Sequence, residues 1–501
     1  MFPPLNCRKM KTSFFRFEMA HRFRKITTIF ILCSSTLPFY GQSAPPSPNK
    51  SWHDPAEDGL TKQLSSLPEA KYDFDPKKTY TLAELVDLAE QHNPETRFAW
   101  QQAKTRAAAL GIARSALYPT IAALAVANTT RVRVLLNSAF YRQTYGSFSP
   151  EIHLEYLIFD FGGRSGAIDA AKANLLAADL TFNDTHLKII FQVTSAYYRL
   201  LNAIGLRTAA EISLKNAQAV EEDAQARLDH GLATKPDLLE ATASTAQAQY
   251  DLQSAIGTEE IASGTLATVL GLRPDTILHV QNVDDLKMPG ELAESLDAAI
   301  DRAFQQRPDL KQQVARLRTA DATIKQARSS YFPSLSFNGN GGLSHQYGQQ
   351  DQDSILPPAY ATGEIWDVSL GLRWTLFDGT RREHEVAQAK AEKAATQAEI
   401  DSLRDEIANQ VWAAYSNVRT AFRQQQAAAA LVASADQSYS AARESYGYGV
   451  RNLLDVVAAQ KALAQASAED VTARTQLLLQ AANLAFRTGD LLAIQPAKTG
   501  P

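Results

Sequence analysis

The sequence predicts a mainly α-helical chain with a transmembrane β part, built as two copies of one unit. Three observations carry this. First, the string from Ala109 to Leu124, ALGIARSALYPTIAAL, returns 214 residues later as TIKQARSSYFPSLSFN, so that Arg114, Ser115 and Pro119 match Arg328, Ser329 and Pro333. Second, Phe159-Asp160 returns as Phe377-Asp378, and Gly231…Asp237 as Gly449…Asp455, both at an offset of 218. An offset broken once, by four residues, marks a duplicated unit with a longer loop in its second copy. The period is far beyond the roughly 20–50 residues of a solenoid repeat. Third, within each copy short alternating stretches give way to long segments almost free of Pro and Gly, which is strand followed by helix.

At the N-terminus, Arg22, Arg24 and Lys25 precede the apolar run Ile26–Leu37 and the small residues of Gly41-Gln42-Ser43. This is the pattern of an export signal over residues 1–43, with Met19 as an alternative start. A membrane anchor is the competing reading, but the run is short of the ~20 residues a spanning helix needs. The only cysteines are Cys7 and Cys33, so the rest of the chain holds no disulfide or thiolate metal site. Lipid attachment at Cys33 is disfavoured, because Ile31 and Leu32 stand where small residues are wanted. Residues 44–79, with Pro45–Pro76 rich in Pro, Ser, Lys and Asp, read as a flexible linker.

The first repeat then spans 80–272, a connector 273–290, the second repeat 291–492, and a tail 493–501. Each repeat opens with a short helix (Leu82–Gln91; Leu292–Gln306) and passes through Asn93-Pro94-Glu95 or Arg307-Pro308-Asp309. Pro suits a first helical turn, where its missing N–H had no partner in any case. The next helix runs to about Ala116 and Ser330, and Pro119 and Pro333 stop it.

Two strands follow in each copy. In Ile365–Phe377, Trp366, Val368, Leu370, Leu372, Trp374 and Leu376 alternate with Asp367, Ser369, Gly371, Arg373 and Thr375. Its counterpart sets Ile152, Leu154, Tyr156 and Ile158 against His153 and Glu155. Such a period suits a membrane barrel strand of ~9–11 residues, and a soluble sandwich strand is the other reading. The segments Arg133–Ser149 and Ser344–Glu364 read as polar, irregular connections, the second being the longer.

From Arg164 to about Asp229 the composition turns to Ala, Leu, Lys, Glu and Gln, with Ile168, Leu175, Phe182 and Ile189 stepping by seven. Val386, Ile400 and Ile407 hold the matched positions, and Lys393 interrupts them. This is a coiled-coil seam. A helix of ~65 residues would be ~100 Å long. It returns through Gly231-Leu232-Ala233-Thr234, and its twin through Gly449-Val450-Arg451-Asn452. The return helix is about half as long, and the helix before the strands supplies the rest.

Four strands per chain cannot close a barrel, and an open edge in lipid leaves backbone groups unsatisfied at several kcal/mol each. Two chains give eight strands, whose interior side chains fill. Three give twelve and a passage. The expected fold is therefore a trimer in which four strands per chain close a 12-stranded β-barrel, continuous with an α-helical barrel of duplicated long hairpins.

The formal charge of −4 gives no sign of a nucleic-acid surface. An enzyme is also disfavoured. The nine His are scattered, and Gly162-Gly163-Arg164 lacks the Lys-Ser/Thr of a phosphate loop. No cofactor or metal is expected.

The order helix–strand–strand–long helix–hairpin–helix, twice over, resembles the TolC-type outer-membrane factor (outer membrane efflux protein) family. So do Phe-Asp-x-Gly at the strand-to-helix turn, Leu228-x-x-Gly231-x-x-x-x-x-Asp237 and Tyr446-x-x-Gly449-x-x-x-x-x-Asp455. The resemblance covers roughly Tyr80–Leu492. It implies a homotrimeric channel in the outer membrane, in contact with its lipid, with the helical part in the periplasm. An inner-membrane RND-type or ABC-type transporter and a periplasmic adaptor would feed it. Small-molecule efflux is the favoured cargo, type I protein secretion the alternative. A non-transporting coiled-coil envelope protein is the reading from another class.

At the tips, Thr234-x-x-Asp237 and Asn452-x-x-Asp455 both have capping-box spacing, which alone accounts for the two acids. The copies differ at Arg451, matched by Ala233, and at Tyr446, matched by Leu228. The resemblance implies that Tyr446 and Arg451 bond Asp237 and hold the periplasmic mouth closed, with Asp455 as a cation ring. A second acid that strengthens such a ring is replaced here by Ala458. Gly231, Leu232, Ala233, Gly449 and Val450 are the expected adaptor contacts.

Overall fold

The structure is a computed structural model that describes residues 49, 57–66, 74–75, 77–136, 139–281, 283, 286–292, 294–350 and 359–492. The expected signal peptide with Cys33, and the tail 493–501, lie outside them. The chain divides into two units, Met1–Asp73 and Phe74–Pro501. The described part of the first is helix α1, Glu57–Ser65, so the stretch expected to be linker carries a helical segment.

The second unit follows the expected order. A short strand β1 (Thr79–Tyr80) leads to helix α2 (Leu82–His92), whose capping box joins Thr81 and Glu84. Helix α3 (Pro94–Ser115) starts on Pro94, with Asn93 as N-cap accepting from the Glu95 amide at 2.7 Å. After strands β2 (Thr120–Leu136) and β3 (Ala139–Phe159) come helices α4 (Gly163–Asp229) and α5 (Lys235–Val269). Strand β4 (His279–Val280) pairs in parallel with β1 and ties the connector to the start of the first repeat.

The second copy runs α6 (Leu296–Gln306), α7 (Pro308–Ser329), β5 (Ser334–Gln350), β6 (Ala359–Arg373), α8 (Arg381–Gly447) and α9 (Leu453–Thr488). Helix α6 begins four residues later than its hydrophobic pattern suggested. Ser295 is the N-cap and accepts from the Ala298 amide, and a helix starts at its cap.

The long helices have 67 residues each, and 22- and 35- or 36-residue helices pack alongside them. Ile168, Ile189, Val386, Ile400 and Ile407 of the seam are buried. Leu175 and Phe182 are half-buried. The main core gathers Leu85, Ile189, Val193, Tyr197, Leu200, Leu266 and Leu270, where α2 and α5 meet the middle of α4. Its duplicate sets Ala299 and Ala303 against Ile400 and Ile407.

The strands form one antiparallel sheet in the order β2-β3-β5-β6. They are longer than expected, with 17, 21, 17 and 15 residues. Most of Arg133–Ser149, expected to be irregular, continues the β2–β3 ladder. Pairing is made by the backbone, and β-branched Thr129, Thr130, Val132 and Val134 favour it despite the polar neighbours. Eight residues join β5 to β6 against two from β2 to β3, which places the longer loop in the second copy. At the other end β6 stops at Arg373 rather than Phe377. Its partner strand begins at Ser334, paired with Arg373, and Pro333 before it has no N–H to donate.

The two faces of the sheet differ in chemistry. Trp366, Val368, Leu370 and Leu372 of β6 lie beside Gly341, Gly339, Phe337 and Leu335 of β5, then Ile152, Leu154 and Tyr156 of β3. The opposite face carries Asp367, Asn340, His153 and Glu155, with His153 Nδ1 bonded to Asn340 Oδ1. The large apolar side chains Trp366, Val368, Leu370 and Leu372 are all more than half exposed. No described helix is long and apolar enough to cross a membrane.

Candidate functional site at the strand-to-helix turns and hairpin tips

Two places in each repeat reverse the chain, and the duplicated motifs sit there. At the first, Asp160 Oδ2 accepts from the Arg164 amide at 2.5 Å. The Arg164 guanidinium donates to the Ala116 and Ile158 carbonyl oxygens at 3.1 and 2.9 Å. In the second copy Arg382 Nε pairs with Asp378 Oδ2 at 2.8 Å and reaches Ser330 and Leu376 carbonyls at 3.4 and 3.2 Å. Each arginine thus clamps the end of a strand to the end of the helix that precedes the sheet. The motif reading found the Asp and missed the Arg four residues on, although its 218-residue repetition was there to be seen.

The hairpin tips are built alike. Gly231 (φ +69°) and Gly449 (φ +74°) adopt the left-handed conformation that ends a helix, where only Gly escapes the Cβ penalty. Amides of Gly231 and Leu232 return to the Leu228 and Arg227 carbonyls at 2.9 and 2.8 Å. Those of Gly449 and Val450 return to Tyr446 and Ser445 at 3.0 and 2.9 Å. Both ends are Schellman motifs.

The following caps differ. Thr234 and Asp237 form a complete box: the Thr234 amide and hydroxyl donate to Asp237 Oδ2 at 2.8 and 2.7 Å, and the Asp237 amide returns to Thr234 Oγ1 at 3.4 Å. The Thr234 hydroxyl and then its amide hold the Asp237 carboxyl below the ordinary carboxylate range. Asn452 Oδ1 accepts from the Asp455 amide at 2.9 Å, but no return bond closes this box. The equal spacing therefore hides a one-sided cap, and the exposed Asp455 carboxylate makes no bond within the cap.

Tyr446 is buried, only 9% exposed, in a cluster with Val220, Ala224, Leu238, Tyr439, Leu453 and Val456 that joins the two hairpins. Its hydroxyl has no hydrogen-bond partner among the described residues. Burial pushes its phenol up, the Arg227 charge pulls it back, and the Asp237 charge adds to the rise. Asp237 and Tyr446 are thus close enough to interact but are not bonded to each other. The Arg451 side chain is exposed, and its backbone amide points to the Ser445 carbonyl at 3.4 Å. Leu232 and Val450 are 74% and 79% exposed, so the apolar tip residues do not pack internally. Ala233 is half-buried. Sequence reasoning missed Tyr448, 79% exposed beside them, and Arg227, whose guanidinium lies over the Tyr446 ring. Neither belongs to a duplicated motif, since their counterparts are His230 and Ser445.

Comparison with known proteins bears on what this architecture is for. The profile of the outer membrane efflux protein family matches residues 85–272 and 299–490. The chain belongs to that family. The second match begins 214 and ends 218 residues after the first, the two offsets read from the duplication itself. Protein CyaE of Bordetella pertussis is 29% identical over 424 residues, 82% of this chain and 83% of CyaE. The pyoverdine export outer membrane protein OpmQ of Pseudomonas putida is 25% identical over 471 residues, 91% of this chain and 93% of OpmQ. The outer-membrane channel OprN superposes with a TM-score of 0.71 at 18% identity, over 85% of this chain and 97% of that one. This efflux-family chain is therefore an outer-membrane export channel, with its helical part on the periplasmic side. Its sheet carries large exposed apolar side chains on one face and His153, Asn340 and Asp367 on the other.

Proposed function

We propose that three copies of the chain close into one 12-stranded barrel and export small molecules as the outer-membrane part of a tripartite system. The observation that carries the trimer is the sheet order β2-β3-β5-β6, which leaves β2 and β6 as free edges. Each unpaired backbone group facing lipid costs several kcal/mol, so β2 of one copy must meet β6 of the next. Eight strands would leave side chains filling the interior, whereas twelve leave a passage.

The exposed tip residues Leu232, Tyr448 and Val450, beside Gly231, Ala233 and Gly449, supply an apolar docking point for a periplasmic adaptor. The adaptor connects to an RND-type or ABC-type transporter in the inner membrane. The mouth between the tips is held shut by Tyr446 and Arg451 closing on Asp237, whose Oδ1 is not used by the cap. Asp455 lines that mouth, and with Ala458 in place of a second acid it binds cations weakly. Small-molecule cargo is supported by similarity to a pyoverdine export protein.

Fractionation with unheated and heated gels tests the assembly: a heat-modifiable trimer in the outer membrane is expected, and a soluble monomer contradicts it. Crosslinking from Val450 or Ala233 in whole cells tests the partners. Capture of an adaptor with a proton-driven exporter supports small-molecule efflux. Capture of an ABC transporter together with a secreted protein moves the cargo to type I secretion.

A further inference from the structure

The apolar face of the sheet ends at the paired residues Phe159 and Leu335. Below them Phe161 meets Phe159 edge-on at 4.7 Å and stacks on Phe332 at 5.0 Å. Directly beneath this aromatic pair is a cleft of about 390 Å³, lined by Phe161, Phe332, Lys325, Arg328, Lys393 and Asp321 among others. Lys393 stands at the seam position that Leu175 fills in the first copy, where a coiled-coil seam calls for an apolar side chain. Its Nζ bonds Asp321 Oδ1 at 2.6 Å, and Lys325 Nζ bonds Asp169 Oδ2 at 3.0 Å. Arg328 is exposed, and its guanidinium makes no hydrogen bond or ion pair among the described residues. The first copy keeps Arg114 for Arg328 but has Gly111 for Lys325 and Leu175 for Lys393, so the two lysines belong to the second copy alone.

We propose that this cleft binds an anionic phospholipid of the periplasmic leaflet, its phosphodiester on Arg328, Lys325 and Lys393 and an acyl chain along Phe161 and Phe332. The three cations and the two carboxylates paired with them, Asp169 and Asp321, leave one net positive charge, which matches a singly charged headgroup. Their vertical order also matches a lipid, with aromatic surface continuous with the membrane face above and charge below. Arg328 suits the headgroup because a guanidinium can grip two phosphate oxygens at once. A free phosphate would satisfy the cations and leave the exposed aromatic stack without a role.

Native mass spectrometry of the full protein, as purified from the outer membrane, tests this by titration with phosphatidylglycerol, phosphatidylcholine and inorganic phosphate separately. Phosphatidylglycerol is expected to bind at one molecule per chain and in preference to phosphatidylcholine. Arg328→Gln with Lys393→Leu should weaken it by about a hundredfold, the loss of two charge-assisted contacts at about tenfold each. Leu is the seam residue of the first copy, so this variant keeps the helix packing. Arg328→Lys should retain binding, and Arg328→Gln alone, on an exposed side chain, gives a loss of about tenfold should the double variant fail to assemble. Equal phosphatidylglycerol binding in wild type and variant overturns the proposal. So does equal binding of phosphatidylcholine, or full displacement of the lipid by inorganic phosphate.

Discussion

The Arg227 guanidinium lies 4.4 Å from the centre of the Tyr446 ring, and its Nη2 donates to the Gly447 carbonyl oxygen at 2.6 Å. One side chain at the end of the first long helix thereby holds the end of the second. Arg443 and Asp223 add an ion pair at 3.4 Å between the same two helices. Arg227→Ala should cost roughly 1–2 kcal/mol of local stability at the tips, from a cation–π contact and one charge-assisted hydrogen bond. Hydrogen exchange of the 445–452 amides measures it. Exchange should quicken there and not near Leu85 or Leu266, whose core is remote from the tips.

The tip glycines give a second expectation. No atom lies within 4 Å of a Cβ built on Gly231 or Gly449, so a side chain would not clash. The cost of Gly231→Ala or Gly449→Ala is the left-handed backbone itself, about 1 kcal/mol each. Faster exchange confined to the altered tip would bear this out. An unchanged tip would mean that the helix end tolerates a right-handed alternative.

The two caps should respond unequally to substitution and to acid. Thr234→Ala removes both bonds of the hydroxyl, leaving only the Thr234 amide on Asp237, and should cost about 1 kcal/mol, whereas Asn452→Ala removes one amide bond and should cost less. The folded Asp237 carboxyl titrates below its ordinary value of 3.8. Its contribution is therefore complete above that value and is lost as pH falls from there through the folded pKa. Tip protection should be flat from pH 7 to 5 and decline only in stronger acid. Asp237→Asn should abolish that decline. A decline already complete by pH 5 would contradict the assignment.

Arg382 and Asp378 have side chains only 10% and 11% exposed. Arg382→Ala strands a buried carboxylate and frees two carbonyls at the base of the sheet, which should cost roughly 3 kcal/mol. The temperature at which the assembled protein dissociates on gels should fall accordingly. Arg164→Ala should act in the same direction at the matching turn. Little change from either would remove the clamp from the account.

The repeat, the helix order and the long hairpins were legible because duplicated strings and heptad spacing report backbone geometry directly. Strand ends were less so. Pairing across Arg133–Ser149 depends on backbone partners, which polar side chains neither require nor forbid, and β6 stops where Pro333 withdraws a donor from its neighbour. At the tips, Gly231, Gly449 and the caps were readable as motifs. Arg227 was not, because its value lies in a ring 219 residues away in the chain that no local pattern names. Nor could spacing show that Asn452 and Asp455 close only half of a box.

The central claim concerns the periplasmic mouth, and single-channel conductance in planar bilayers tests it most directly. Arg451→Ser with Tyr446→Phe leaves the Gly449 turn and the Thr234 cap intact and removes the groups proposed to close on Asp237. The account predicts a marked rise in conductance of the assembled channel over wild type. Unchanged conductance in well-formed trimers would contradict the latch and leave Asp237 as a helix cap alone.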